Sequence, residues 1–156
     1  VEEEVRAVLA ESEHIRHHLI ELAEQDMAAY GSFVKAQRMP RGLPEERRER
    51  TICMQAALRE CTSVPLEIAR ASRRLLELSP TVAEKGNASA VTDVGVAAVL
   101  AEACARGAGL QVRVNLAWLK DADYVAEQAT ALEGVLSGLE PLKERTLAVV
   151  DKVMAG

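Results

Sequence analysis

Two aspartates stand among apolar side chains. Asp26 lies four residues after Leu22 and four before Tyr30, on the inward stripe of a helical repeat. An unpaired carboxylate there is costly, so it needs a tyrosine or arginine partner across the fold, or a chemical task. Asp93 follows Thr92 where the loop "GNASAV" passes into the apolar run "GVAAVLAEA". As a first-turn acid behind an N-capping threonine it is worth under about 1 kcal/mol. As a functional group it sits where the glycine-flanked loop 86–92 lets a ligand approach the backbone. Periodicity does not separate these two readings.

Other polar residues raise the same choice. Asn115, in "VRVNLAWLKD", is either a buried amide bridging two helices or, with Lys120 and Asp121, part of a polar pocket. Lys35, Arg38, Arg41, Arg47, Arg48 and Arg50 flank the 39–44 loop. A local basic cluster in an acidic chain hints at an anionic ligand, and a solvated charged face explains it equally well. His14 and His18 are one helical turn apart, but no third ligand is placed to complete a metal site, so a surface role is preferred. Asn87-Ala88-Ser89 is a formal glycosylation sequon that matters only in a secreted protein. No nucleophile elbow, P-loop or dinucleotide fingerprint is present.

The elements that hold these residues read as helices throughout. The 156 residues suit a single domain spanning 1–156, and hydrophobic residues make up 49% with aromatics only 3%. The core must therefore be Ala, Leu, Val and Ile, which suits closely packed helices better than a sheet. Apolar residues from Val5 to Val34 recur at helical spacing, with Gly31 a soft point, and "MPRGLP" (39–44) ends that helix. Pro44 opens a second helix that Pro65 kinks or restarts and Ser79-Pro80 ends, with a short turn over 81–85. A third runs from Thr92 to about Asp121, and a fourth covers about 122–155 with a kink at Pro141. The expected fold is an all-α bundle of long, partly kinked helices. The third helix is apolar on every face, so it must be surrounded, and a small bundle needs a second subunit for that. A homodimer is expected.

The net charge of -5 argues against non-specific nucleic-acid binding. No uninterrupted apolar run of about 18 residues argues for a membrane span, and no signal segment opens the chain. Cys53, Cys61 and Cys104 form no CxxC and read as reduced small hydrophobes of a cytoplasmic protein.

Four ordered blocks carry a resemblance: "LAEQDMAAYGSFVKAQRMP" (22–40), "ERRERTICMQAALRECTSVPLEIA" (46–69), "KGNASAVTDVGVAAVLAEACARGA" (85–108) and "VRVNLAWLKD" (112–121). Together they resemble the cyclodeaminase/cyclohydrolase family, which includes formiminotetrahydrofolate cyclodeaminase domains and stand-alone methenyltetrahydrofolate cyclohydrolases. Thr92 stands where the family often has serine. Val1 falls after the glycine-rich Pro-x-Pro-Gly-Gly-Gly-Ser segment and small-residue helix with which members normally begin.

The resemblance implies an all-α homodimer that binds a reduced folate near the subunit boundary, with no metal and no cofactor beyond the tetrahydrofolate substrate. It implies closure of N5-formimino-tetrahydrofolate with loss of ammonia, or opening of the 5,10-methenyl ring by water. On that basis Asp93, or second Asp26, is the carboxylate that shuttles protons and stabilises the cation. Asn87 and Asn115 would bond the pterin or orient water, and Lys35, Arg38 and Lys120 would meet the glutamate carboxylates. The alternative expectation is a non-catalytic helical dimer that binds folate or a partner protein.

Overall fold

The computed structural model describes residues 1–156 and contains helices without strands. In chain order they are α1 (Glu2–Gln37), α2 (Pro44–Lys85), a 3-10 turn (Ala88–Ala90), α3 (Val91–Leu116), α4 (Ala122–Leu136) and α5 (Leu139–Ala155). α2 is the mast: it packs against each of the other four helices, whereas α1 packs on α2 alone. One core layer joins Leu66 and Ala69 of α2 to Val112 of α3 and Leu132 of α4. A second joins Leu76 to Ala98, Ala101 and Ala105 of α3 and Leu139 of α5. Small α3 side chains let these helices approach closely, and Gly109 faces α4: a Cβ there would sit 3.0 Å from a terminal methyl of Leu136, which would have to give way.

Several boundaries differ from those expected. α1 runs through Gly31 without a break. α2 is a single 42-residue helix that passes through both Pro65 and Pro80. A mid-helix proline removes one N–H and so strands the carbonyl four residues earlier. For Pro65 that carbonyl is Cys61 O, and it receives Asn115 Nδ2 from α3. The compensation is tertiary and leaves no local mark.

α3 ends at Leu116, not near Asp121, because Asp121 turns to cap α4: its Oδ1 accepts the Tyr124 N–H at 3.0 Å. The expected fourth helix is two. The chain breaks at Gly138, whose φ of 75° is the left-handed conformation that glycine adopts freely. Pro141 lies in the first turn of α5, where a missing N–H costs little. Arg73 of α2 seals the break, with Nη1 donating to the carbonyls of Val135 at 2.8 Å and Gly134 at 3.2 Å, and also to that of Ser137.

The composition of α3 predicts a helix surrounded on every side, and a single chain does not surround it. Its inner face is buried, but Val96, Leu100, Leu110 and Val114 are more than half exposed. By length and composition Ala88–Leu116 could also cross a bilayer, its most apolar 18-residue stretch having a mean hydropathy of 1.5. This differs from the sequence expectation because the apolar stretch is long although isolated charges such as Glu102 and Arg106 interrupt it. Here the helix packs on α2, α4 and α5, and its Glu102 pairs with Lys143 of α5 at 2.9 Å.

Candidate active site

α1 and α3 both lie on α2 and scarcely touch each other, so a groove floored by α2 runs between them. The polar residues picked out from the sequence fall at its two ends. Asp93 and Asn115 are separated by most of α3, about 33 Å at the rise of a helix.

At one end Asp93 is exposed in the first turn of α3 and lines a cavity of about 360 Å³ with Ser12, Leu78, Ser79 and Val82. Asn87 sits just before it as the cap of the 3-10 turn, its Oδ1 accepting the Ser89 N–H at 3.0 Å. The side-chain oxygen of Asn87 is thus engaged locally, and the loop it caps leads directly to Asp93.

At the other end a cavity of about 290 Å³ is lined by Tyr30, Phe33, Cys61, Val114, Asn115 and Trp118, among others. The chain has only four aromatic residues, and three of them meet here. Asp26 is half-buried one turn before Tyr30. Burial pushes the Cys61 thiol up from its ordinary range, and the Asp26 carboxylate adds to the same effect. Asp26 therefore faces this end of α2, though Tyr30 is exposed and the stripe turns outward there.

Residues that the sequence did not single out fix the wall of this cavity. Gln55 of α2 donates through Nε2 to Trp118 O at 3.0 Å and accepts the Lys120 N–H at 2.8 Å. Arg59, one turn on, pairs with Asp121 and lies 4.3 Å from the centre of the Tyr124 ring. The Tyr124 N–H first, and then Arg59, hold the Asp121 carboxyl below its usual value. The loop carrying Trp118 and Lys120 is thereby tied to α2 on both sides.

The basic cluster is divided. Arg47 and Arg50 are engaged by main-chain carbonyls: Arg47 Nη1 reaches Gly42 O at 2.7 Å and Arg50 Nε reaches Gln37 O at 3.1 Å. Lys35 lines a shallow cavity of about 400 Å³ with Ser32, Met39 and Cys53, close in sequence to the aromatic wall. Arg38 caps the end of α1 and is exposed, as is Lys120. The structure thus gathers Asp26, Asn115, Lys35, Arg38 and Lys120 toward one end of the groove and leaves Asp93 and Asn87 at the other. His14 is exposed and His18 stands 3.8 Å from Glu21.

Residues 1–134 match the family model described as formiminotransferase-cyclodeaminase. The chain is 36% identical over 150 residues to a methenyltetrahydrofolate cyclohydrolase of Methylorubrum extorquens, covering 96% of this chain and 72% of that one. It is 26% identical to a formimidoyltransferase-cyclodeaminase of Gallus gallus, over 95% of this chain but 27% of that longer one. In solved structures, the fold is similar to that of a formiminotetrahydrofolate cyclodeaminase from Thermotoga maritima. That match has a TM-score of 0.77 and 26% identity, over 91% of this chain and 67% of the other. A family match across most of the chain, a relative above 30% identity and a shared fold agree: the chain belongs to the formiminotransferase-cyclodeaminase family.

Proposed function

We propose that the protein is a folate one-carbon enzyme that opens the 5,10-methenyl ring of tetrahydrofolate by adding water, a cyclohydrolase. The observation that carries this is the 36% identity, along nearly the whole chain, to a relative named for that reaction. The cyclodeaminase reaction is the second reading, favoured by the fold shared with the Thermotoga maritima cyclodeaminase. Both reactions pass through a tetrahedral carbon between two nitrogens, so one acid–base site serves either.

In the hydrolytic reaction, water adds to the methenyl carbon and loses a proton to a base. The C–N5 bond of the resulting adduct then breaks as N5 takes up a proton, leaving the 10-formyl product. Asp93 is the base in this reading, with Asp26 as the second candidate, and a carboxylate also steadies the cationic amidinium before attack. The Tyr30, Phe33 and Trp118 pocket takes the flat pterin ring, since aromatic faces stack well; Asp93 is about 33 Å from it within one chain, so in this reading the two meet across the subunit boundary of a homodimer. Asn115 spends Nδ2 on Cys61 and keeps Oδ1 to accept from the ring, and Asn87 orients water near Asp93. Lys35, Arg38 and Lys120 meet the glutamate carboxylates as cations. No cofactor beyond the folate itself is required, the working form is a homodimer, and the free cysteines suit the cytoplasm.

The test is decay of methenyl-tetrahydrofolate absorbance, run beside ammonia release from the formimino compound. Turnover in the first assay alone identifies the cyclohydrolase, and turnover in the second identifies the cyclodeaminase. Inactivity in both rejects the enzyme.

A further inference from the structure

The first turn of α4 folds around one arginine of α2. Arg59 Nη2 pairs with Asp121 Oδ2, and the guanidinium carbon lies 4.3 Å from the centre of the Tyr124 ring. The Tyr124 hydroxyl in turn donates to Arg59 O at 3.3 Å. A planar guanidinium takes a carboxylate on its edge and a ring on its face at once, which a lysine cannot do. Yet both members of the pair are nearly half exposed, and an ion pair in that position adds little to stability. Three contacts on one exposed arginine need another reason.

Lys120 supplies it. This lysine directly precedes Asp121, and its side chain is exposed with no carboxylate on it. Neighbours of this kind do pair in the same protein: Lys143 meets Glu144, the next residue, at 3.1 Å. The acid at 121 has its own task, because Oδ1 caps α4 by accepting the Tyr124 N–H at 3.0 Å. A carboxylate is therefore built in beside Lys120, where it competes with any anionic ligand for the ammonium group. Arg59 engages the second oxygen of that carboxylate from the α2 side. Gln55, one turn earlier on α2, accepts the Lys120 N–H at 2.8 Å. Successive turns of α2 thus set the main chain and the charge of one residue.

We propose that Arg59 is a positioning residue for the anionic end of the substrate: by holding Asp121 it keeps Lys120 free to meet a ligand carboxylate. That the carboxylate belongs to the glutamate of a folate rests on the folate reading; the freeing of Lys120 does not.

The test uses the full chain and steady-state kinetics on methenyl-tetrahydrofolate. Arg59→Gln should raise KM about three- to five-fold, the upper range for an exposed ion pair, with kcat nearly unchanged. Adding Asp121→Asn keeps the cap, removes the charge and should bring KM back to the wild-type value. Adding Asp123→Asn instead restores the same net charge and should not. In a Lys120→Met background Arg59→Gln should have no further effect. Failure of Asp121→Asn to rescue, or equal rescue by Asp123→Asn, overturns the role. Should Arg59→Gln not fold by circular dichroism, Asp121→Asn alone decides: KM at or below the wild-type value upholds the proposal, and a raised KM overturns it. A second readout needs no substrate. Acetylation of Lys120 by acetic anhydride, followed by mass spectrometry, should slow in Arg59→Gln and recover when Asp121→Asn is added. One rate in all three proteins overturns the proposal whatever the kinetics. The expected acetylation pattern in a protein inactive on both folates upholds Arg59 and rejects the folate reading instead.

Discussion

Asn115 on α3 donates to the carbonyl that Pro65 leaves without a partner on α2. The proline has no N–H for Cys61 O, four residues earlier, and an amide from the neighbouring helix takes that place. One side chain thus lets a helix of 42 residues continue through a residue that normally stops one.

The two residues should be energetically coupled. Asn115→Leu leaves a buried acceptor unmet and should cost about 1–3 kcal/mol. In a Pro65→Ala background an in-helix N–H is available, so the same change should cost distinctly less. Urea unfolding of the four proteins of the double-mutant cycle measures the difference; strict additivity would contradict the pairing.

Gln55 holds the Trp118 and Lys120 main chain from both sides. Gln55→Leu should loosen the loop, shift the emission of Trp118, the only tryptophan, and raise KM for methenyl-tetrahydrofolate several-fold with a smaller change in kcat. Steady-state kinetics and fluorescence on the same samples would show it. An unaltered spectrum would detach Gln55 from the pocket.

Asp93→Asn keeps the size of the side chain and removes its charge. As a first-turn acid Asp93 contributes under about 1 kcal/mol, so Tm should hardly move. As the acid–base group it should cost roughly 10²–10⁴ in kcat. Stable protein with full turnover would reduce Asp93 to a helix-end charge.

Arg73 is tied by three carbonyls at the α4–α5 break and by Glu77 at 2.8 Å. Arg73→Met removes these bonds and should lower stability by about 1–3 kcal/mol. The site lies elsewhere, so kcat per folded molecule should hold. The urea midpoint and specific activity report the two separately.

Glu102 is buried on α3, where Lys143 first, and Arg106 after it, hold its carboxyl below the ordinary value against the opposing effect of burial. A depressed folded value means that this group stabilises the fold fully above the ordinary carboxylate range. The contribution is lost as pH falls through the lower folded value. Glu102→Gln should therefore lower stability at neutral pH and flatten the acid limb of a stability–pH curve. Thermal melts between pH 7 and about 3, spanning the carboxylate range, would reveal an unflattened limb if the pairing were unimportant.

Helix type was legible wherever a stripe persisted: Val8, Ile15 and Leu22 are buried at the spacing that marked α1. The ends were less so, because their causes are distant. Pro65 looks like a stop until Asn115, 54 positions on, is brought beside it. In the sequence Pro141 is the stronger break signal, although Gly138 makes the left-handed turn and the proline merely opens the next helix. Asp26 and Asn115 were visible as polar interruptions of apolar stripes. Gln55 and Arg59 were not, since each resembles a solvated helix face until the 117–121 loop arrives. A clue was available in the aromatics: with so few in the chain, Tyr30, Phe33 and Trp118 could have been grouped before any contact was known.

The reliance of every helix on α2 has a consequence for how the molecule opens. α1 rests on α2 alone, so it can detach as one blade while the remainder stays assembled. Amide protons of α1 should exchange with deuterium through that partial opening. Those in the middle turns of α2, around Leu66 and Leu76, are released only when the whole structure comes apart. The slowest-exchanging amides of the protein should therefore lie on the helix that carries its two mid-helix prolines.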